Sequence, residues 1–134
     1  VAHEFLGSDV EGKDMIIIDD MISSGDSVIE VAAALKARKA RRIFVFSTFG
    51  LFTNGLGRFD KAYEEGLIDR VLTTNLIYQT PELLARDWYI NCDMSKYIAY
   101  LIDTLNHDSS ISDLLNPSEK IRNIVARYNA GEDV

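Results

Sequence analysis

Two adjacent aspartates, Asp19 and Asp20, end an apolar run near the beginning of the sequence and precede a loop rich in hydroxyl groups. The segment reads IIIDDMISSGDS over residues 16–27. Carboxylates accept hydrogen bonds from the vicinal hydroxyls of a sugar, and their oxygens also suit Mg²⁺. At the frayed end of a strand, both side chains can turn toward one ligand. The pair is therefore a candidate site for a sugar or for Mg²⁺.

The residues from Ser23 to Ser27 lead from these acids into a predicted helix. The beginning of a helix presents unpaired backbone N–H groups and a partial positive charge, which attract anions. Gly25 permits a tight turn and lets a phosphate approach the backbone, while Ser24 and Ser27 add hydroxyl donors. Acids for a sugar thus stand a few residues from a cradle for its phosphate, and the segment predicts a sugar-phosphate site.

The same residues also have explanations that need no such ligand. Ser27 and Glu30 have the spacing of a capping box, and Asp26 favours the helix dipole. Adjacent aspartates at a strand end also occur in receiver domains, where acids hold Mg²⁺ near a phosphorylated aspartate. A receiver needs that further aspartate after a later strand, and Ser47 and Thr73 occupy the corresponding positions. The capping-box explanation stays open beside the sugar-phosphate site.

Apolar periodicity predicts strands that alternate with helices up to residue 92. The first strand is a continuous apolar run, as expected for a strand buried on both faces of a sheet. Strands are predicted at 15–19, 42–47, 71–74 and 88–92, with helices at 27–39 and 55–65. This order predicts parallel βαβ units with right-handed crossovers, which bind ligands at the carboxyl ends of their strands.

Polar residues stand where the predicted strands end. Their hydroxyl, amide and carboxylate groups form a rim that suits a polar, hydroxylated ligand. The rim consists of Asp19, Asp20, Ser47, Thr48, Thr73, Thr74 and Asn75.

The pattern changes after residue 92 to amphipathic helices. An apolar stripe over 94–105 predicts one helix with Asp93 as its N-cap. A short turn is expected around 111–115, followed by a helical extension at 116–131 that Asn116 caps and that ends before Gly131. The predicted buried face of this last helix consists of Ile121, Ile124, Val125 and Tyr128.

Composition and charge limit the possible functions. The 134 residues suffice for one domain with one core, taken as residues 1–134. A formal net charge of −7 argues against a nucleic-acid surface. No apolar run approaches the ~20 residues of a transmembrane helix, so we expect no membrane partner. Cys92 is the single cysteine and cannot form an internal disulfide, which fits the cytoplasm.

One basic cluster falls at the end of a predicted helix, where cations suit the helix dipole. We interpret it as a solvated face rather than as a phosphate-binding patch. The cluster comprises Lys36, Arg38, Lys39, Arg41 and Arg42.

The segment DVEGKDMIIIDDMISSGDS, residues 9–27, resembles the phosphoribosyl pyrophosphate (PRPP) loop of type I phosphoribosyltransferase folds. It is most similar to the loop of the ribose-phosphate pyrophosphokinase family, which usually reads D-D-M-I-D-T-G-G-T after a D-V-x-G-K/R lead. The resemblance continues through ALKARKARRIFVFSTFGLFTNG and NHDSSISDLL and covers roughly residues 3–115. It implies an α/β fold with a parallel sheet flanked by helices, to which the C-terminal helical extension is added.

The resemblance also implies roles for individual residues. Asp19 and Asp20 would hold the ribose hydroxyls of ribose 5-phosphate, and the same two carboxylates are the implied ligands of Mg²⁺. Ser110 and Ser112 resemble family positions near an allosteric phosphate or ADP site, although hydroxyls that cap the short turn explain them equally well. The implied phosphate loop consists of Ser23, Ser24, Gly25, Asp26 and Ser27.

This sequence departs from the family pattern within the loop and after the second strand. Ser23 replaces an aspartate, whereas Ser24 and Ser27 replace threonines and keep the hydroxyl. Asp26 replaces a glycine, and its carboxylate should repel a phosphate unless it turns outward or binds a cation. Phe49 stands where the family often has histidine. The departures fit a divergent enzyme or a regulatory paralogue.

The resemblance implies that the chain is the C-terminal half of a ribose-phosphate pyrophosphokinase. Such an enzyme of nucleotide biosynthesis transfers the β,γ-diphosphoryl group of ATP to the 1-hydroxyl of ribose 5-phosphate and releases AMP. We expect a homo-oligomer in which this half binds the sugar phosphate. No catalytic residue is expected within it, because the ATP site and the basic catalytic loop should lie upstream; the first residue, which is not methionine, fits a piece of a longer protein.

Two alternatives remain beside the enzyme. One is a non-catalytic subunit of the same family that binds partners and regulates. The other is a phosphoribosyltransferase, which uses the same loop to consume PRPP but needs a base-binding hood that we do not find in the sequence.

Overall fold

A computed structural model describes Gly7 and residues 9–108, 110–112 and 116–132 of the chain. The chain divides into two compact units, Val1–Met94 and Ser95–Val134. The first unit contains the described sheet. The described part of the second unit includes two amphipathic helices.

The sheet of the first unit has four parallel strands in the order β1-β2-β3-β4. The strands are β1 (Met15–Ile22), β2 (Ile43–Gly50), β3 (Arg70–Thr74) and β4 (Tyr89–Cys92). The connecting helices are α1 (Asp26–Ala37), α2 (Gly57–Glu64) and α3 (Pro81–Leu84). The predicted parallel βαβ arrangement of an α/β fold is confirmed.

Helix α3 was not predicted, although local signals for it exist. Pro81 occupies its first turn, and the Thr80 hydroxyl accepts a hydrogen bond from the Leu83 N–H at 3.2 Å. A threonine N-cap followed by proline is a common beginning of a helix. The helix was missed because four residues are too few to show a 3.6-residue periodicity.

The core of the first unit lies on one face of the sheet. Sequential strand order combined with right-handed crossovers brings the connecting helices to the same face. On that face, Ile43, Val45 and Val71 are fully buried. The helices contribute Val28, Ala32, Leu35, Phe59, Ala62 and Leu83 to the same cluster.

The opposite face of the sheet is apolar and largely uncovered. Ile16 is 60% exposed, Ile18 is 82% exposed, and Ile90 is 42% exposed. Phe44 and Phe46 on the neighbouring strand are only half-buried. The expectation that the first strand is buried on both faces is therefore wrong, because β1 lies at the edge of the described sheet and the connecting helices pack on the other face.

The second unit includes α4 (Ser95–Asn106) and α5 (Ser118–Asn129). The expectation that Asn116 caps the last helix is wrong, because Pro117 is the N-cap of α5. The Asn116 side chain accepts a hydrogen bond from the Ser118 N–H at 3.1 Å, one residue before that cap. Residues 113–115 of the expected turn lie outside the described residues. None of the helices in the described part of the chain combines the length and the apolar character that crossing a membrane requires.

The predicted buried face of the last helix is wrong. Neither α4 nor α5 contains a buried residue. An amphipathic stripe identifies which side of a helix is apolar, but it does not supply the surface that covers it. The four residues of the predicted face are between 44% and 71% exposed: Ile121, Ile124, Val125 and Tyr128.

Replacing isoleucine by threonine on each face of the sheet should show that the two faces contribute differently to stability. Ile43→Thr should lower the free energy of unfolding by about 2–4 kcal/mol, because it removes buried methyl groups and buries a hydroxyl. Ile18→Thr should change it by no more than about 0.5 kcal/mol and should reduce binding of a hydrophobic dye. Urea denaturation and dye fluorescence measure these effects. Equal destabilisation by both variants would show that the Ile18 face is covered in the folded chain.

Candidate functional site

The aspartate pair lies within β1 rather than at a frayed end. The strand continues to Ile22, so Asp19 and Asp20 point to opposite faces. Asp19 is half-buried, and its Oδ1 accepts a hydrogen bond from the Asp20 N–H at 2.9 Å. Asp20 is exposed. A ligand that contacts both carboxylates must therefore reach around the edge of β1, which has no further strand beside it in the described sheet.

Two hydroxyls of the expected rim face the protein core instead of a ligand. The strand register places Asp19, Ser47 and Thr73 side by side on one face of the sheet. Ser47 Oγ donates to the Phe49 carbonyl at 3.1 Å. Thr73 Oγ1 lies 2.7 Å from the Tyr89 hydroxyl, and burial raises the pKa of that tyrosine. Both hydroxyls are buried and already hydrogen-bonded, which corrects the expectation that they line a ligand site.

The remaining rim residues form hydrogen bonds between the segments at the ends of the strands. Thr74 Oγ1 donates to the Thr48 carbonyl at 2.6 Å. The Asn75 amide donates to Asp93 at 2.8 Å, and its oxygen accepts from the Met94 N–H at 2.8 Å. These groups are satisfied within the chain. Of the predicted site, the aspartate pair and the loop that follows it remain the candidates for ligand binding.

The loop from Ser23 to Gly25 ends β1 and begins α1. Gly25 is the N-cap, with a left-handed φ of 84°, and it makes no side-chain cap bond. Ser24 Oγ accepts a hydrogen bond from the Asp26 N–H at 3.4 Å, at the long limit for such a bond. Because Ser27 lies inside the helix, the capping-box explanation is wrong. The first turn of α1 is therefore built as an anion site requires, with backbone N–H groups that no side chain of Gly25 covers.

The loop is tied to the segment that follows β2. The Thr53 N–H donates to the Ser23 carbonyl at 3.0 Å, and the two hydroxyl oxygens lie 3.5 Å apart. The Leu51 N–H donates to the Ile22 carbonyl at 2.8 Å. Ser23 thus joins two loops through uncharged groups, at a position where the family pattern has a charged aspartate.

An aromatic ring supports the loop from below. A Cβ atom added to Gly25 would overlap the Phe59 ring, so the backbone lies directly on that ring. Phe59 is fully buried and contacts Phe52 and Trp88, with ring centroids 5.1 and 5.5 Å away. This contact could not be predicted from the sequence, because Phe59 belongs to α2 and meets Gly25 only in the folded chain.

Asp26 forms an ion pair with Arg58, the second residue of α2. Asp26 and Arg58 line a cleft of about 360 Å³ together with residues of α1 and α2. The contacting Asp26 Oδ1 is shielded from solvent, although the whole side chain is 41% exposed. The acid therefore binds a cation of the protein, which is one of the two conditions under which it would tolerate a nearby phosphate.

The aspartate pair fits Mg²⁺ only as part of a shared site. No cluster of three or more histidine, cysteine, aspartate or glutamate side chains suited to a metal occurs among the described residues. Mg²⁺ is commonly held by one or two carboxylates, with waters and substrate phosphates completing its shell. Asp19 and Asp20 supply donors of that kind.

The basic cluster contacts acids and carbonyls of its own surroundings. Arg41 and Arg42 both donate to the Asp14 carboxylate, at distances between 2.5 and 3.1 Å, and hold the pKa of Asp14 well below its usual range. Lys39 pairs with Glu11 at 3.1 Å. These contacts support the interpretation of a solvated face.

Ser110 and Ser112 hydrogen-bond to each other. Ser110 Oγ donates to Ser112 Oγ at 3.0 Å and accepts from the Ser112 N–H at 3.3 Å. This is the local turn that the alternative explanation describes. Their allosteric role stays a prediction.

Comparison with known proteins gives a consistent family assignment. The phosphoribosyl synthetase-associated domain family matches residues 5–116. The ribose-phosphate pyrophosphokinase of Vibrio cholerae is 33% identical over 108 residues, which is 81% of this chain and 33% of that protein. The enzyme of the same name from Mycoplasma pneumoniae is 43% identical over 74 residues, which is 54% of this chain and 22% of that protein.

A solved structure shows the same fold. The crystal structure of phosphoribosylpyrophosphate synthetase from Mycobacterium smegmatis matches with a TM-score of 0.67 and 21% identity, covering 77% of this chain and 33% of that chain. The chain spans about a third of the length of the curated relatives it matches first.

Alanine substitutions at two glycines should reveal how much the packing of Gly25 against Phe59 restricts that position. Gly25 and Gly55 both have positive φ, but only Gly25 has no room for a Cβ atom. Gly55→Ala should lower the free energy of unfolding by about 1–2 kcal/mol through backbone strain. Gly25→Ala should cost about 1–3 kcal/mol more, because the Phe59 ring must move. Chemical denaturation of both variants measures the difference, and equal losses would contradict the packing of Gly25 on Phe59.

Proposed function

This chain belongs to the ribose-phosphate pyrophosphokinase family, and we propose that it is the part of such an enzyme that binds ribose 5-phosphate. In the complete protein, the 1-hydroxyl oxygen of the sugar attacks the β-phosphorus of ATP. The bond from that phosphorus to the AMP oxygen breaks, the hydroxyl loses its proton, and PRPP and AMP result. We propose that the protein works in the cytoplasm as a homo-oligomer.

The beginning of α1 is the observation that carries this proposal. Gly25 as N-cap makes no side-chain cap bond directly behind the aspartate pair of β1, and the bond from the Asp26 N–H to Ser24 Oγ is long, at 3.4 Å. Backbone N–H groups and the helix dipole bind phosphate, and carboxylates bind sugar hydroxyls. One phosphorylated sugar satisfies both parts of the site.

The residues of this chain contribute binding and orientation. In our proposal, Asp19 and Asp20 accept hydrogen bonds from the ribose hydroxyls, and the loop from Ser23 to Ser27 holds the 5-phosphate. Fixing both ends of the sugar orients its 1-hydroxyl for in-line attack, which lowers the entropic part of the barrier. Mg²⁺ held by Asp19 or by Asp20, whose carboxylates point to opposite faces of β1, would neutralise charge on the transferring diphosphoryl group. ATP is proposed to bind mainly outside this chain.

A regulatory subunit of the same family is the second candidate. Ser23 contacts Thr53 where the family pattern has an aspartate, and Asp26 occupies a glycine position of the loop. A subunit of this kind would keep the fold and the sugar-phosphate site while contributing no turnover. The exposed apolar residues of α4 and α5 support assembly with further subunits in either case.

Ribose 5-phosphate should perturb residues 19–27 in a backbone NMR titration. Ribose should leave the amides of Ser23 to Ser27 unchanged, whereas inorganic phosphate should shift them without affecting Asp20. Asp20→Asn should raise the Kd for ribose 5-phosphate by at least about tenfold, because a charge-assisted hydrogen bond contributes about 1.5–3 kcal/mol. Glu64→Gln removes an exposed carboxylate from α2 and should leave the Kd unchanged. Shifts centred on the basic cluster of residues 36–42, with the loop silent, would refute the site.

The isolated chain should not make PRPP. The residues that the structure describes include no candidate for an ATP pocket beside a basic catalytic loop, so AMP release from ATP, Mg²⁺ and ribose 5-phosphate should stay at background. The same assay on the full-length protein separates the two candidates, since only the enzyme turns over. Turnover by the isolated chain would show that catalytic residues are present within it.

A further inference from the structure

We propose that Arg58 is a positioning residue of the phosphate loop. Its guanidinium neutralises Asp26 and keeps that carboxylate in the cleft between α1 and α2, so that the loop accepts a phosphate despite an acid in its first helical turn. The inference rests on the proposed function, because it concerns the affinity of the same site for the sugar phosphate.

The geometry of the pair supports this role. Arg58 Nη1 contacts Asp26 Oδ1, and this oxygen is the one shielded from solvent. The Asp26 side chain lines the cleft between the helices, while its backbone N–H faces Ser24 in the loop. The residue thus offers its donor to the loop and its charge to Arg58.

Two consecutive residues of α2 act on two consecutive residues of the loop. Phe59 supports the backbone of Gly25, and Arg58 pairs with Asp26. Because Phe59 is fully buried in the aromatic cluster, the beginning of α2 is fixed against the loop. The backbone of Arg58 is therefore already fixed at a position from which its side chain reaches Asp26.

The effect of the pair on an anion follows from simple electrostatics. An unpaired carboxylate beside the loop would repel a bound phosphate, whereas a carboxylate paired with a guanidinium presents only a dipole. The pair is partly exposed, with side-chain exposures of 59% for Arg58 and 41% for Asp26, so solvent screens it. We expect the loss of Arg58, which leaves the Asp26 carboxylate unpaired, to weaken phosphate binding by about three- to tenfold rather than to abolish it.

Other charges face the same cleft and provide the control. Glu30, Lys61 and Glu65 also line it. Lys61 lies on α2 with Arg58, and its ammonium group is 3.7 Å from Glu65 rather than at Asp26. Lys61→Gln therefore removes one positive charge from the cleft without breaking the pair that the proposal concerns.

A double-mutant cycle tests the proposal on the 134-residue chain. Isothermal titration with ribose 5-phosphate measures the Kd of the wild type, Arg58→Gln, Asp26→Asn and the double variant. Arg58→Gln should raise the Kd about three- to tenfold, while the double variant should return to within about twofold of Asp26→Asn. Arg58→Lys should keep most of the affinity, and Lys61→Gln should leave it unchanged. Thermal denaturation establishes that each variant is folded.

Each outcome decides between explanations. An unchanged Kd for Arg58→Gln would overturn the proposal and leave the sugar-phosphate site intact. A double variant as weak as Arg58→Gln would also overturn it, by showing that the guanidinium contacts the phosphate directly. If the wild type gives no loop response to ribose 5-phosphate, the proposed function fails, and this inference fails with it.

Discussion

The packing of Gly25 on the Phe59 ring is the constraint on which the site depends. A glycine with positive φ allows the chain to turn from β1 into α1, and the missing side chain allows the turn to rest on the aromatic cluster. The same contact fixes the beginning of α2 beside the loop. The Phe59 ring is packed among other buried aromatic residues. A movement of the loop that displaces this ring would therefore disrupt the packing of the core.

The strand order of the sheet determines which of its faces remains exposed. Strands that follow one another in a single direction place their connecting helices on one face, and the other face keeps exposed isoleucines. Large apolar patches on a folded protein usually mark surfaces of interaction. The uncovered face and the apolar sides of α4 and α5 are therefore the surfaces of the described residues that are best suited to such interactions.

Local sequence patterns were sufficient for the loop and for most of the elements, but not for the four-residue helix α3. Apolar runs located β2 and β3, and the Ser-Ser-Gly segment after Asp20 located the beginning of α1. Other predictions failed because they depend on contacts between distant residues. The uncovered face follows from the strand order, the inward direction of Ser47 and Thr73 follows from register, and Arg58 reaches Asp26 only after α2 has packed. No spacing in the sequence records these contacts, and the resemblance to the family pointed to a glycine where Asp26 stands.

The most direct test is a crystal structure of the chain with ribose 5-phosphate. The account predicts a phosphate hydrogen-bonded to backbone N–H groups between Ser23 and Ser27, ribose hydroxyls on Asp19 and Asp20, and an Asp26 side chain still paired with Arg58. A phosphate bound among the basic residues 36–42, with the loop unoccupied, would contradict it.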